Sequence, residues 1–583
     1  YLLGELKMRQ ARLRQARALW KRLLDQCPDY KPDVYYFFGV MEHEDGHYDR
    51  AIDLIEKFLE SPERSFGFDE EAQLTLKEAR LRQELKENPV PYDPQALPRL
   101  STPADEYLAS IAPDQQTMYF TRRKEKAIRK DGPASKIRMV EEFSKASRQG
   151  EQEFSPGKAL PSPFNTNYNE GGPSITATNS ELYFTVCQDL NGYKNCDIFY
   201  AWRDSMGYWT SPRSVGDHIN TRDHWESQPS VDAEGENLYF ASDREGGPGG
   251  LDIYRCRRQP DGQWGDPRAL PETVNTPQDE KTPFIHSDSE TLYFTSDGHP
   301  GMGGFDIFLA RSTSDTSWAP PQNIGYPIND EGDDLGLFVS LDGQTAYFAS
   351  NKLRSTTGWD IFYFDLPKEV RPREVALISG QLNKDDTAQY RGTRVEIRDV
   401  GSKEVNSIRV NERTGEYAGV VSTRDRSDYV VSVKKKGVAF SSRYVSSEDL
   451  RMKEVVSNEL ELASLEVGRE YTLNDIKFDT NYFELRSASR SIIEEFVKYL
   501  EDNPELQADI QGHTDNVGDE SSNLELSRNR ARAVYDYVVA QGINPQRLSH
   551  HGYGEKRPVA TNETEEGRAQ NRRTVFVVTA GAR

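Results

Sequence analysis

Asp515 and Arg530 are the residues of this chain best suited by type and spacing to hold a ligand. Asp515 ends the run Ala508-Asp509-Ile510-Gln511-Gly512-His513-Thr514 and opens a polar turn, and Arg530 follows fifteen residues later in a stretch of helical periodicity. Asn523, Ser527 and Arg530 stand at i, i+4 and i+7, so a helix puts them on one face. A carboxylate and a guanidinium converging on one pocket suit a ligand bearing both an ammonium and a carboxylate. Arg offers a planar fork to the carboxylate, and Asp accepts from the amine. The same spacing also suits an internal Asp–Arg bridge without a ligand, and spacing alone does not choose. Elsewhere no nucleophile–base pair and no metal-ligand spacing stands out. His550 and His551 are adjacent, and neighbours in a strand point to opposite faces, which makes a poor metal pair.

Strands and helices must alternate to position that pair. In residues 466–583, Ile476-Lys477-Phe478-Asp479 reads as a strand, Ser489–Leu500 as a helix with Ile492, Ile493, Phe496 and Leu500 on one face, and Ala508–Asp515 as a strand with its turn. Leu524–Ala540 reads as a helix stopped by Gly542, and 547–553 and 574–579 as further strands. The pattern predicts an α/β domain with a mixed sheet.

The remaining sequence divides into three parts. Residues 1–88 are poor in Gly and Pro and show 3.6-residue periodicity, with small Gly39 and Ala51 beside large Tyr35, Phe38, Ile55 and Phe58. A Pro-rich connector over 89–103 follows. Residues 104–366 repeat an aromatic strand, Leu182-Tyr183-Phe184, Leu238-Tyr239-Phe240, Leu292-Tyr293-Phe294 and Ala346-Tyr347-Phe348, each followed by Asp-Ile-aromatic at Asp197, Asp252, Asp306 and Asp360. Met118-Tyr119-Phe120 begins a first unit that lacks the second signature and carries a basic insertion near 122–148. Asn165, Asn220, Asn275 and Asn329 keep the same period. Repeats of about fifty residues with several short strands predict a five-bladed β-propeller. The recurrent aspartates could form a carboxylate ring, but recurrence in every unit favours turn-capping. Cys187 and Cys196 flank the turn of one hairpin and are read as a candidate disulfide, against two separate thiols. Alternating segments over 373–464 predict a small β-sandwich.

Several of these segments resemble known families. Residues 1–88 resemble tetratricopeptide repeats, which present concave surfaces to partners. Residues 104–366 resemble TolB-like and WD-repeat-like propellers, and 373–464, through Ser379-Gly380-Gln381 and Thr414-Gly415-Glu416-Tyr417, resemble carboxypeptidase-regulatory-like domains. In residues 466–583, Gly512-His513-Thr514-Asp515, Asn523-Leu524-Glu525-Leu526-Ser527-Arg528-Asn529-Arg530-Ala531 and Glu566-Gly567-Arg568-Ala569-Gln570-Asn571-Arg572-Arg573 resemble the OmpA-like peptidoglycan-binding family. That resemblance implies that Asp515 and Arg530 hold the free amino-acid centre of diaminopimelate in peptidoglycan stem peptides. It puts Asp479, Thr514, Asn523, Leu526, Asn571 and Arg572 at supporting positions. The domain order resembles that of the PorE-type component of Bacteroidota type IX secretion systems.

Composition limits the alternatives. The 583 residues carry 73 Lys or Arg against 95 Asp or Glu, a net charge of -22, and no apolar run approaches a membrane-spanning helix. An acidic chain without a basic stripe is a poor binder of nucleic acid. The chain begins at Tyr1 with no charged and apolar leader, so export is argued from the domains. The expectation is a multidomain, non-enzymatic scaffold of the periplasm, associated with the outer membrane and cell wall. It needs no metal or cofactor, and it binds peptidoglycan at one end and envelope or secretion proteins through helices and propeller. A wall-attached sensor or glycan-binding protein, or a general envelope anchor, are the other readings.

Overall fold

A computed structural model describes the chain except residues 11, 29, 98, 130–134, 167, 191–192, 205, 354–357, 386–387, 454, 479–481 and 582–583, with the backbone alone at 127–129, 135–136, 189–190 and 193–194. The periodic first segment folds into helices Leu2–Arg9, Leu13–Gln26, Asp33–Glu44, Tyr48–Glu60 and Asp69–Glu87. Cys27-Pro28 ends the second, because Pro disfavours the helical conformation in the residue before it. Gly39 lets the third and fourth helices approach: a Cβ there would stand 2.7 Å from Ile55. Tyr36, Ile55, Phe58 and Ala72 fill the space beside the contact.

Five antiparallel sheets follow, each of four or five strands. Their second strands carry the repeated aromatic triplet: Thr117–Arg129, Glu181–Leu190, Asn237–Ser242, Thr291–Ser296 and Thr345–Ser350. All three triplet residues are buried, since each sheet is covered on both faces. The Tyr side packs on the next sheet: Tyr119 with Leu182 and Phe184, Tyr183 with Leu238 and Phe240, Tyr239 with Leu292 and Phe294, Tyr293 with Ala346 and Phe348. Tyr347 of the fifth sheet packs with Met118 and Phe120 of the first. The Pro-rich stretch is more than a connector. Gln95–Ala96 pairs with Asp360–Asp365 and completes the fifth sheet from the N-terminal side. Sequence reading missed it because two residues leave no period to detect.

The recurrent asparagines explain their own spacing. Asn165, Asn220, Asn275 and Asn329 each accept from the backbone N–H, and donate to the C=O, of Phe143, Ile198, Ile253 and Ile307 respectively, at 2.7–3.1 Å. Two of the recurrent aspartates also serve the backbone. Asp252 accepts from Gly249 N–H and Asp306 from Met302 and Gly303 N–H. No group of three or more metal-ligating side chains occurs among the described residues. Cys187 and Cys196 lie directly opposite each other in the strand pair and form a disulfide.

Residues 375–462 form two sheets, one of Glu416–Ser422, Val375–Lys384 and Val455–Leu462, the other of Val405–Arg409, Arg394–Asp399, Tyr429–Lys434 and Ser442–Val445. Val395, Ile397, Val431 and Val433 of one meet Ala376, Ile378, Leu460 and Leu462 of the other in a shared core. Each junction along the chain has apolar contacts. Tyr48 and Ala79 of the helices meet Met302, Ala177, Ala233 and Leu341 meet Leu377 and Ala418, and Phe440 packs with Phe496 and Tyr499.

The last module is a mixed sheet in the order Glu470–Thr472, Thr574–Ala580, Gln507–His513, Leu548–Gly554, with helices Ser487–Asp502 and Glu520–Ala540. Gln507–His513 runs parallel to Leu548–Gly554 and antiparallel to Thr574–Ala580. The expected strand at 476–479 is not formed among the described residues: Phe478 makes one isolated bridge to Leu485, and the edge strand is Glu470–Thr472. Ser489 Oγ bonds both the N–H and the C=O of Lys477, so this segment is tied to a helix rather than to a strand. Among the described residues no helix is long and apolar enough to cross a membrane.

Candidate functional site

The cleft of the last module forms where strand ends meet a helix face. Gln507–His513 delivers His513, Thr514 and Asp515 to the mouth, and Asp519 caps the helix Glu520–Ala540 by accepting from Ser522 N–H at 3.1 Å. Asn523 fixes the intervening turn. Its Nδ2 donates to the Asp515 and Val517 carbonyls, each at 3.3 Å, and to Glu555 Oε2 at 2.9 Å. Ser527, fully buried, accepts from Gly554 N–H at 2.9 Å and so holds the helix to the neighbouring strand. One helical turn on, Arg530 reaches the cleft. Its guanidinium lies over the Phe478 ring at 5.0 Å, and Nε donates to the Tyr482 carbonyl at 3.1 Å.

The result is a cleft of about 540 Å³ walled by Thr514, Asp515, Asn523, Leu526, Arg530 and Arg572. Asp515 is 7% exposed. Its Oδ1 accepts from Val517 N–H at 3.1 Å and its Oδ2 from Arg572 Nη1 at 2.6 Å. Arg572 also bridges to Glu565 at 2.8 Å, and the two carboxylates hold its guanidinium above its ordinary value. Burial pushes Arg530 the other way. Asp515 opposes that shift, and the nearby Arg572 adds to it. A carboxylate has about four acceptor sites, and among the described residues Asp515 uses two of them. The arrangement can therefore take an ammonium at Asp515 and a carboxylate at Arg530.

Of the eight binding residues expected from sequence, six share this cleft. Asn571 does not: fully buried, it accepts from Val559 and Ala560 N–H and donates to Ala560 O and Asn562 Oδ1, tying down the loop that precedes its helix. Asp479 lies outside the described residues. The internal Asp–Arg bridge weighed as an alternative is present, but with Arg572. Glu565 and Arg568 also wall the cleft and were missed. Thr564, which caps the helix Glu565–Asn571, was the available signal, since 565, 568 and 572 then share a face.

At the cleft wall, His513 stacks on Tyr553 at 5.5 Å, and neither ring nitrogen has a hydrogen-bond partner among the described residues. Burial lowers its pKa from 6.5 to about 4, helped by Arg573 and Arg557. The folded state therefore favours neutral His513. Its contribution to stability is complete above pH 6.5 and is lost as pH falls from 6.5 towards 4, by up to about 3 kcal/mol. Hydrogen exchange of peptides from this module against pH is expected to show that slope, and His513→Phe to flatten it.

Residues 477–572 match the OmpA family. The last module is OmpA-like. It is 40% identical over 110 residues to outer membrane porin F of Pseudomonas aeruginosa, covering 19% of this chain and 31% of the porin. It is 39% identical over 103 residues to peptidoglycan-binding protein ArfA of Mycobacterium bovis, covering 18% and 32%. The peptidoglycan-associated lipoprotein from Burkholderia pseudomallei, a solved structure, shares 29% identity and covers 18% of this chain and 98% of its own, with a TM-score of 0.17. The chain spans about a third of the length of the two curated relatives.

Proposed function

We propose that the OmpA-like module binds the diaminopimelate-containing stem peptide of peptidoglycan and anchors the rest of the chain, a non-enzymatic scaffold, to the cell wall. The observation that carries this reading is the convergence of the Asp515 carboxylate and the Arg530 guanidinium on one cleft. Diaminopimelate in a stem peptide keeps a free ammonium and a free carboxylate on one carbon, the pair of charges those residues complement. The relative named a peptidoglycan-binding protein matches over the same region.

The finer reading extends to the other segments. The five sheets form a closed five-bladed propeller. The cyclic Tyr packing and the joining of Gln95–Ala96 with Asp360–Asp365 in the fifth sheet support this. The helices form tetratricopeptide-like repeats, and these two segments offer surfaces for envelope partners. With the four-part order, they support a periplasmic component of a type IX secretion or gliding machine. The sensor alternative has one observation of its own, a cavity of about 100 Å³ to which Leu108, Gly172, Gln228, Thr282 and Phe338 contribute from all five sheets. Its lining carries no ionisable side chain, and Leu377 of the sandwich reaches into it, which favours a packed axis over a glycan site.

Co-sedimentation with purified sacculi tests the anchor. The full chain is expected to pellet with diaminopimelate-type sacculi, to be released by millimolar free diaminopimelate, and to leave lysine-type sacculi unbound. Equal pelleting with both wall types rejects the assignment of the cleft.

A further inference from the structure

The first of the five sheets carries a feature that wall binding does not use. In three sheets the central strand pair stops at Ser242↔Asp252, Ser296↔Asp306 and Ser350↔Asp360. In the first sheet the equivalent pair is Arg122↔Glu142, and pairing continues seven steps further, to Arg129↔Ser135. The strand on one side pairs no further than Arg123, and the strand on the other side pairs only at Ser144 and Lys145. A two-stranded ribbon therefore projects with both edges uncovered by any strand among the described residues.

Bonds at its base show which groups face outward. Glu141 N–H donates to Asn169 Oδ1 at 3.2 Å and Phe143 N–H to Asn165 Oδ1 at 2.7 Å, both away from the partner strand. Residues alternate between facing the ladder and facing away, so Met139 and Ile137 present their N–H and C=O groups outward too. Their side chains share one face and are exposed by 47% and 65%. The opposite face holds Arg138, exposed and opposite Lys126. Lys126 and Lys124 share the single carboxylate of Glu142 at 3.1 and 2.7 Å. Residues 122–142 contain eight Lys or Arg against four Asp or Glu, in a chain of net charge -22.

We propose that the Ile137–Val140 edge receives an extended segment of a partner protein as an added strand, with side chains alternating between apolar and acidic. The apolar ones lie beside Ile137 and Met139, and the acidic ones beside Arg138 and the lysine pair. Open edges are usually blunted by charge, and this one carries the exposed Arg138 on one face but two exposed apolar side chains on the other. A second copy of this chain is disfavoured, because two-fold antiparallel pairing of the edge about Arg138 would set Arg138 against its own equivalent. An anionic membrane would meet the charge but leave the outward N–H and C=O groups without partners.

The test uses the full chain and a fluorescein-labelled nonapeptide of alternating valine and glutamate, read by anisotropy. Micromolar binding is expected. Met139→Pro, which removes an outward N–H and leaves the ladder intact, should weaken it at least tenfold, as should N-methylation of alternate peptide residues, which leaves the protein untouched. Arg138→Glu should lose this peptide and gain the valine–lysine counterpart. The proposal is overturned by absence of binding, by unchanged affinity in Met139→Pro, or by binding to phosphatidylglycerol–phosphatidylethanolamine vesicles in place of the peptide.

Discussion

Arg530→Ala is expected to weaken binding to diaminopimelate-type sacculi by about thirtyfold or more. Truncating one member of a desolvated, hydrogen-bonded charge pair costs roughly 2–5 kcal/mol of binding, and the carboxylate of the ligand would be left without its counter-charge. Arg530→Lys should recover only part of the affinity, because an ammonium cannot offer two parallel N–H donors to a carboxylate. Asp515→Ala acts differently. It also removes the 2.6 Å partner of Arg572, so a smaller loss of local stability should accompany the loss of binding. Undiminished pelleting of Arg530→Ala would reject the assigned site.

Gly512→Val is expected to give the largest structural effect in the module, and to reach the cleft indirectly. A Cβ on Gly512 would overlap the Ser527 carbonyl, and one on Gly552 the Arg528 backbone. The obstacle in both cases is main chain of the helix Glu520–Ala540, which cannot yield by a rotamer change. The helix must move off the sheet at a cost of about 3 kcal/mol, near the upper end for overpacking. Displacing it moves Arg530 away from Asp515, so wall binding should fall at least tenfold. Gly542→Ala is the control. Its φ of +105° strains any side chain, yet a Cβ there meets nothing within 4 Å, so about 1 kcal/mol of stability should be lost with sacculus binding unchanged. Hydrogen exchange over residues 487–580 separates the two outcomes. Equal binding by Gly512→Val and Gly542→Ala would show that the close approach does not set the cleft.

Different features were legible in sequence to different degrees, for physical reasons. The helix Glu520–Ala540, the strand Gln507–His513 and the convergence of Asn523, Ser527 and Arg530 follow from local periodicity. A single repeat unit shows little, but five copies of an aromatic triplet expose sheets buried on both faces. The segment around Phe478 was misread because Ile476 and Phe478 alternate as in a strand, while the burial that alternation signals comes from Ser489 and the helix above it. Asn571 was counted with the ligand set, yet every polar atom of its amide is spent on residues 559–562, a distinction that no motif carries.

By itself, the sequence determined the positions of the repeated strands and the sharing of one helix face by Asn523, Ser527 and Arg530, because these depend on side-chain types at short, regular separations. Only the tertiary structure decided that Asp515 is already bridged to Arg572, 57 residues away, and that Gln95–Ala96 completes a sheet with Asp360–Asp365. It alone decided that the basic insertion is a projecting ribbon with an open edge. Those outcomes depend on which distant groups come within hydrogen-bonding reach once the cores have packed, and local pattern carries no record of that.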